Sequence, residues 1–406
     1  MGRYTALDDP IVDQTIEDHL QKMVRAICTR IEPKAIVLRG SFSQGEGSVV
    51  IEGGHLRFLS DYEVIAVTPH YRHRQWLQTV ARQTTAQSRV ETSISRVHPR
   101  NIQQHSLGNL PFGGIARPTI SMYEVQNGGR TIYGEHLLNG GPAIDPRTLG
   151  IWSGLRLLLN RMAESLDHLG PVEMDWNSLR WITKTILSCA DAILVVHRQY
   201  HFSYAERGRR FAELVPKLGS VTVRVNYMPD LVRRATAFKL HPALDLYPET
   251  LPVLWQQVKR VCSATLSYVV EKYLGFSCNN YSEFPQLYLS RLVQNKLASN
   301  PIPLLPAPLL QNLLLGLKFL RDRRCPPLGL FTHAAYPAYQ IIYSVVPLVF
   351  LGSSKQVLQE ARRWLSRVIR LDPPRVDDQG EWDYVRKRTV QAWKEMCYGL
   401  WDVGAM

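Results

Sequence analysis

The feature that most constrains this chain is the stretch from Leu38 to Val67, where one apolar run ends in Gly40-Ser41 and a second carries two acids one residue apart. Ala35-Ile36-Val37-Leu38 has the composition of a short buried strand. Gly40-Ser41 then supplies a permissive backbone and a small hydroxyl, which together let the chain approach a phosphate closely. If Ser41 opens a helix, its free N–H groups face the anion. In the second run side chains alternate, so Asp61, Glu63, Ile65 and Val67 share one strand face, and Tyr62, Val64 and Ala66 take the other. Two carboxylates side by side repel each other unless a cation sits between them. Oxygen ligands with no Cys or His cluster nearby point to Mg²⁺ rather than zinc. After a helix expected over 71–87, the β-prone segment Arg89–Ser95 carries one acid near its start, Glu91, the candidate for the third corner of the site. Glu124 is its rival.

The rest of the chain bounds the answer. With 406 residues, 45% hydrophobic and 20% charged, it is long enough for two or three domains with real cores. A formal net charge of +13 favours anionic partners without naming one. The six cysteines, Cys28, Cys189, Cys262, Cys278, Cys325 and Cys397, form no C-x-x-C, which suits reduced, buried thiols in a cytoplasmic protein. Met1-Gly2-Arg3-Tyr4 leads into acidic residues without an apolar core, so no secretory signal is expected.

In chain order, Asp9-Pro10 caps a helix whose apolar face is Ile16, Leu20, Met23, Val24 and Ile27. Val49–Phe58 reads as a β-hairpin closed by Gly53-Gly54, and Ser121–Gln126 with Arg130–Tyr133 as a second, closed by Asn127-Gly128-Gly129. The breakers of 139–146 mark a first boundary. Helical patterns follow, with Trp152, Leu155, Leu158, Leu159 and Met162 on one face, and Leu179, Ile182, Ile186, Ala190, Ile193 and Leu194 on another. The segment Tyr200–Arg210 interleaves aromatics with arginines, which suits base stacking and phosphate contact or, alternatively, a helix junction with a solvated basic face. The proline-rich run 299–308 is a second connection. The uncharged stretch between Arg324 and Lys355 is broken by Pro337 and Pro347 and reads as a buried core helix, so no stable membrane insertion is expected. Asp377, Asp378 and Asp383 read as solvated acids of a mixed-charge helix. His70 and His73 read as surface residues at a helix start, Gly108–Gly114 as a loop rather than a P-loop, and Ser93 and Ser95 find no triad partners.

Taken together, the Gly-Ser turn, Asp61-Tyr62-Glu63 and Glu91 resemble the nucleotidyltransferases that share a core with DNA polymerase β. Gly45-Glu46-Gly47 and Gly129–Glu135 are similar to further segments of that domain. The resemblance implies an α+β fold: a polymerase-β-like core of mixed sheet and flanking helices over 1–140, a helical domain over 149–298 closing the nucleotide cleft, and a C-terminal helical subdomain over 299–406. It implies a nucleoside triphosphate substrate and two Mg²⁺ ions, with Mn²⁺ able to substitute. Asp61, Glu63 and Glu91 would be catalytic metal ligands, Gly40 and Ser41 would hold phosphates, and Lys184 would reach the triphosphate from the helical domain. The expected reaction moves a nucleoside monophosphate to a hydroxyl and releases pyrophosphate. The size of the helical remainder tilts the acceptor toward a nucleotide or oligonucleotide. A small antibiotic-type hydroxyl compound, a protein or tRNA hydroxyl, and a non-catalytic interaction scaffold with a protein partner are the alternatives. Three features depart from the family pattern. Glu63 and Glu91 stand where Asp is commoner, the loop between Ser41 and Asp61 carries the inserted hairpin, and Gln44 stands where Arg is common.

Overall fold

The computed structural model describes residues 2–70, 73–103, 118–169, 173–219, 225–277, 280–299, 336, 338–352, 354–373 and 377–397. Gly108–Gly114, the proline-rich run after 299, Cys278 and Cys325 lie outside the described residues. The fold is α+β, dominated by helices, with a small mixed sheet. Its described residues fall into two compact units, neither continuous in sequence: one from Met1–Gly154 and Glu173–Leu254, the other from Leu155–Val172 and Trp255–Trp401. Breaker-rich stretches do not report this division, because it follows which helix returns to which core.

The first unit holds the sheet. Its strands are β1 (Ala35–Arg39), β4 (Tyr62–Val67), β5 (Thr92–Val97) and β6 (Arg130–Gly134), in the order β5-β4-β1-β6. β4 runs parallel to β5 and antiparallel to β1, and β6 is antiparallel to β1 with a register shift between Ile36 and Val37. A separate hairpin, β2 (Val49–Glu52) and β3 (His55–Phe58), turns at Gly53 and Gly54, both at positive φ, as the Gly-Gly pair predicts.

Strand alternation sorts the core into two halves. Ile36, Leu38, Tyr62, Val64 and Ala66 face α1 (Pro10–Cys28) and α2 (Arg74–Ser88), packing on Val12, Ile16, Leu20, Met23, Ile27, Leu77 and Val80. Asp9 starts α1 as expected, accepting from the N–H groups of Ile11 and Val12. On the opposite face Ala35, Val37, Ile65, Val67 and Val97 pack on Ile102 of α3 (Pro99–Gln103), Val125 of α4 (Ile120–Gly128), Leu137 and Leu138. Each fully buried aliphatic side chain stabilises the fold by about 1.5–3 kcal/mol before conformational entropy is counted.

The expected second hairpin is not there. Residues 120–128 form helix α4, capped by Thr119 Oγ1, which accepts from the Met122 N–H. Asn127-Gly128-Gly129 ends that helix, the Gly129 N–H donating to the Val125 carbonyl, before the chain enters β6. Asn-Gly-Gly marks a reversal in either setting, and the Thr119 cap decided between them. Ser41 likewise opens no helix. Residues 41–45 form successive turns, with the Ser43, Gln44 and Gly45 N–H groups bonded three residues back.

Among the described residues this unit also holds α6 (Trp176–Val196), started by Asp175, α7 (Tyr204–Leu214), started by Ser203, and α8 (Met228–Leu240). Leu179, Ile182, Ile186, Ala190, Ile193 and Leu194 of α6 are all buried, as their spacing predicts.

The second unit is helical: α5 (Ile151–His168), α9 (Leu251–Leu274), α10 (Phe284–Ser299), α11 (Ala338–Leu351), α12 (Lys355–Leu365) and α13 (Asp378–Met396), the first turns of α5 and α9 aside. Asn160 Oδ1 accepts from Tyr343 Oη at 2.7 Å and from Trp393 Nε1 at 3.0 Å, tying α5 to α11 and α13. The described part of the uncharged run contains α11, buried along almost all of its length and retaining Pro347 inside the helix. Among the described residues no helix is long and apolar enough to cross a membrane. Of the C-terminal acids, Asp377 is exposed and caps α13, and Asp383, 44% exposed, pairs with Arg386.

Candidate functional site

The candidate site lies where the apolar stripe of one sheet face gives out. Along β4, Val67 and Ile65 belong to the core, and the next two side chains on that face are Glu63 and Asp61, the latter just before the strand begins. Register places Arg39 of β1 and Ser93 of β5 on either side of Glu63. Glu91 stops one residue short of β5, yet its carbonyl accepts from the Tyr62 N–H at 2.8 Å, which continues the ladder and sets Glu91 beside Asp61. Its side chain is 62% exposed, against 28% for Asp61 and 31% for Glu63.

Each acid is met by a cation. Arg39 Nε is 3.0 Å from Glu63 Oε2, and Arg39 Nη1 also donates to Ser121 Oγ at 2.8 Å. Arg180 Nη2 lies 3.1 Å from Glu91 Oε2 and 3.8 Å from Asp61 Oδ1, spanning the two acids. Lys184 Nζ, one turn further along α6, is 3.6 Å from the same Asp61 oxygen. The Trp181 ring lies beneath both, 5.2 Å from the Arg180 guanidinium and 4.9 Å from the Lys184 ammonium. The Arg39 charge pulls the Glu63 pKa down, but burial and the negative charge of Asp61 outweigh it, and the carboxyl is held above its ordinary range.

Behind the acids is a knot of small hydroxyls. Gly40 sits at φ +76°, a conformation that turns the chain sharply out of β1 and that a side chain would strain. Ser41 and Ser60 hydroxyls are hydrogen-bonded at 3.0 Å, and Ser60 Oγ also accepts from the Ser48 N–H at 2.9 Å and from Lys239 Nζ at 2.8 Å. Ser48 Oγ in turn donates to the Lys239 carbonyl at 2.6 Å, so α8 is fastened at two points to the serines that flank the β2–β3 hairpin. Lys239 is buried, and its pKa is pushed down to about 7, first by burial and then by the nearby charge of Lys184. Glu46, also buried, accepts from Ser203 Oγ and from the N–H groups of Tyr204 and Ala205 at 2.7–3.1 Å, capping α7 from the loop after β1.

The basic, aromatic segment Tyr200–Arg210 behaves differently from a nucleic-acid surface. Arg207 is buried, donating to Asp191 Oδ2 at 2.7 Å and to the Tyr200 hydroxyl at 2.9 Å. Tyr200 in turn donates to Glu124 Oε1 at 2.6 Å. Arg209 and Arg210 both pair with Glu206, and Arg210 also donates to the Gln199 carbonyl. Arg207 is thus committed to its own chain, whereas Arg209 makes only exposed ion pairs along its helix.

The structure therefore gathers Asp61, Glu63, Glu91, Gly40, Ser41 and Lys184 around one end of the sheet. Sequence reasoning missed Arg180, Lys239, Ser60 and Arg39. Only Arg180 carried a signal, lying four residues before Lys184 with Trp181 between them, the spacing of one helix face. Among the described residues no group of three or more His, Cys, Asp or Glu side chains is arranged to hold a metal ion, so the expected three-carboxylate metal set is not preassembled. No family model, curated protein or solved structure matches the chain.

Proposed function

We propose that this chain is a Mg²⁺-dependent nucleotidyltransferase of the DNA polymerase β type, moving a nucleoside monophosphate from an NTP or dNTP to a hydroxyl and releasing pyrophosphate. One observation carries the reading. Asp61 and Glu63 stand side by side at the open end of a sheet face, beside the Gly40-Ser41 turn, with Lys184 and Arg180 within 3.6 and 3.8 Å of Asp61. The mixed sheet, with β1 antiparallel and β5 parallel to the acid-bearing strand, is consistent with such a core.

The donor set fits Mg²⁺ chemically. The donors are hard carboxylate oxygens on a strand, and Mg²⁺ is commonly held by one or two carboxylates together with substrate phosphates rather than by an all-protein cage. Asp61 and Glu63 would hold it, and when bound it would neutralise charge on the triphosphate and on the attacking oxygen. Gly40 and Ser41 hold the outer phosphates, Lys184 and Arg180 neutralise them, and Glu91 takes the proton of the acceptor hydroxyl. The acceptor remains a nucleotide or oligonucleotide first, but through surfaces other than Tyr200–Arg210. Small hydroxyl compounds, proteins and tRNA stand as alternatives.

A second reading, a non-catalytic scaffold, draws on the ion pairs Arg39–Glu63 and Arg180–Glu91, which already satisfy two of the acids. Pyrophosphate release from each NTP and dNTP with Mg²⁺ or Mn²⁺, wild type against Asp61→Ala, separates the two. Asp61-dependent release supports transfer, and product masses identify the acceptor. Mn²⁺–nucleotide binding that is absent, or indifferent to Asp61→Ala, supports the scaffold.

A further inference from the structure

We infer that Arg180 and Lys184 form a built-in counter-ion for Asp61 that only a polyphosphate can draw away, so that the site admits a divalent cation together with a triphosphate and disfavours the cation alone. The inference rests on the reading proposed above and goes beyond it in naming what sets the order of binding and the preference for triphosphate over monophosphate.

The geometry is that of an exchangeable contact. Charge-assisted hydrogen bonds in proteins close to roughly 2.7–2.9 Å. The Asp61 contacts to Lys184 and Arg180 are 3.6 and 3.8 Å, so both cations neutralise the carboxylate without locking onto it. Arg180 is also under-used as a donor. Its Nε is buried and has no hydrogen-bond partner, so the present contacts do not use the whole guanidinium. Trp181 holds both cations on one side of α6, so neither can swing far from the acids.

These positions set up a competition. A bare divalent cation arriving at Asp61 must displace two side-chain charges and leave them facing each other, with Lys239 buried close by. A triphosphate brings several negative charges with the metal. Its oxygens accept Arg180 and Lys184 as these leave Asp61, and the carboxylate is freed for the metal in the same event. A monophosphate spends most of its charge on the metal it accompanies and leaves little to compensate the two cations. The coupling between metal and nucleotide is thus a differential interaction of named side chains with two alternative partners.

The test measures binding of Mn²⁺ alone to the full chain, by loss of the free-ion paramagnetic signal, for wild type, Arg180→Gln, Lys184→Gln and the double variant. It also measures affinity for ATP and for AMP with Mn²⁺ present. Far-ultraviolet circular dichroism checks that each variant is folded. The double variant should bind Mn²⁺ alone about tenfold or more tighter than wild type and bind ATP about tenfold or more weaker. The ratio of ATP to AMP affinity should shrink, and adding Asp61→Asn should abolish the gained Mn²⁺ affinity. A purely structural arginine or lysine would lower both affinities together. Unchanged or weaker Mn²⁺ binding in the double variant, with wild type still binding Mn²⁺–ATP, overturns the inference and leaves the transferase reading standing. Tight wild-type binding of Mn²⁺ alone does the same. Failure of wild type to bind Mn²⁺–ATP removes the transferase reading and this inference with it.

Discussion

Helix α6 carries charge at both ends, and the two ends use it in opposite ways. Near its start, Arg180 and Lys184 meet Asp61 across gaps of 3.6–3.8 Å, with side chains 15–28% exposed. Near its finish, Asp191 meets Arg207 at 2.7 Å, with side chains 6% and 4% exposed, and the Tyr200 hydroxyl closes the network onto Glu124. Both clusters join carboxylates to guanidinium or ammonium groups. Only the first retains slack and solvent, and only the first surrounds a strand end where the apolar stripe stops. Ion-pair geometry, rather than the mere presence of charge, separates a contact that can be exchanged for a ligand from one that holds the fold.

The largest effect expected is at the buried end. Arg207→Met should destabilise the first unit by about 3–5 kcal/mol, because Asp191 loses its guanidinium partner in the interior. Urea unfolding followed by tryptophan fluorescence reads this directly. Arg207→Met combined with Asp191→Leu should recover much of the loss, since removing both partners also removes the buried carboxylate charge. A cost below about 1 kcal/mol for the single variant would place Arg207 with the exchangeable cations and break the comparison.

Tyr200→Phe tests the same network more gently. It deletes the donor to Glu124 and the acceptor for Arg207 while keeping the ring, and should cost about 1–3 kcal/mol. It should leave Mn²⁺ binding unchanged, because Tyr200 touches none of Asp61, Glu63 or Glu91. A large change in metal binding would mean that the two ends of α6 are coupled.

The contrast also explains what could be read from the sequence and what could not. Local rules were enough for the Asp9 cap, the Gly53-Gly54 hairpin, the alternation of β4 and the buried stripe of α6, because each is decided by neighbours in the chain. They failed at 120–128, where Tyr123 and Val125 suit a strand and Asn127-Gly128-Gly129 suits its turn, but the Thr119 cap favours a helix. They also placed all the arginines of Tyr200–Arg210 on a surface, which holds for Arg209, 56% exposed, but not for Arg207. The partners that bury Arg207 are Asp191 on α6 and, through Tyr200, Glu124 on α4, and no periodicity reports either. Lys239 is the extreme case. A single lysine in Phe238-Lys239-Leu240 has no pattern at all, and only the fold brings it to Ser60.

Lys239 gives the next prediction, one that sharpens the boundary between the two kinds of site. Its pKa is about 7 in the folded chain against 10.5 for an unperturbed lysine. Between those values the unfolded chain binds the extra proton, so stability should rise with pH across that window, by at most about 1.4 kcal/mol per pH unit. Below about 7 both states are protonated and the contribution is flat. Lys239→Met should remove the slope, measured as the urea midpoint at a series of pH values. An unchanged slope in that variant would show that the amine is solvated and belongs with the exposed cluster.

The smallest effect on stability is expected where the effect on function is greatest. Asp61→Asn removes the charge that Arg180 and Lys184 share, but these side chains keep partial contact with water and Arg180 retains Glu91 at 3.1 Å. Relief of the repulsion between Asp61 and Glu63 offsets part of the loss, and the net change should lie within about 1 kcal/mol. The same substitution should lower the Glu63 pKa, because the neighbouring negative charge that helps hold it up is gone. Carboxyl-carbon titration by nuclear magnetic resonance would follow that shift while the urea midpoint records stability. A stability loss as large as that of Arg207→Met would mean that the Asp61 cluster is a structural pair like Asp191–Arg207, and the distinction between the two ends of α6 would fall.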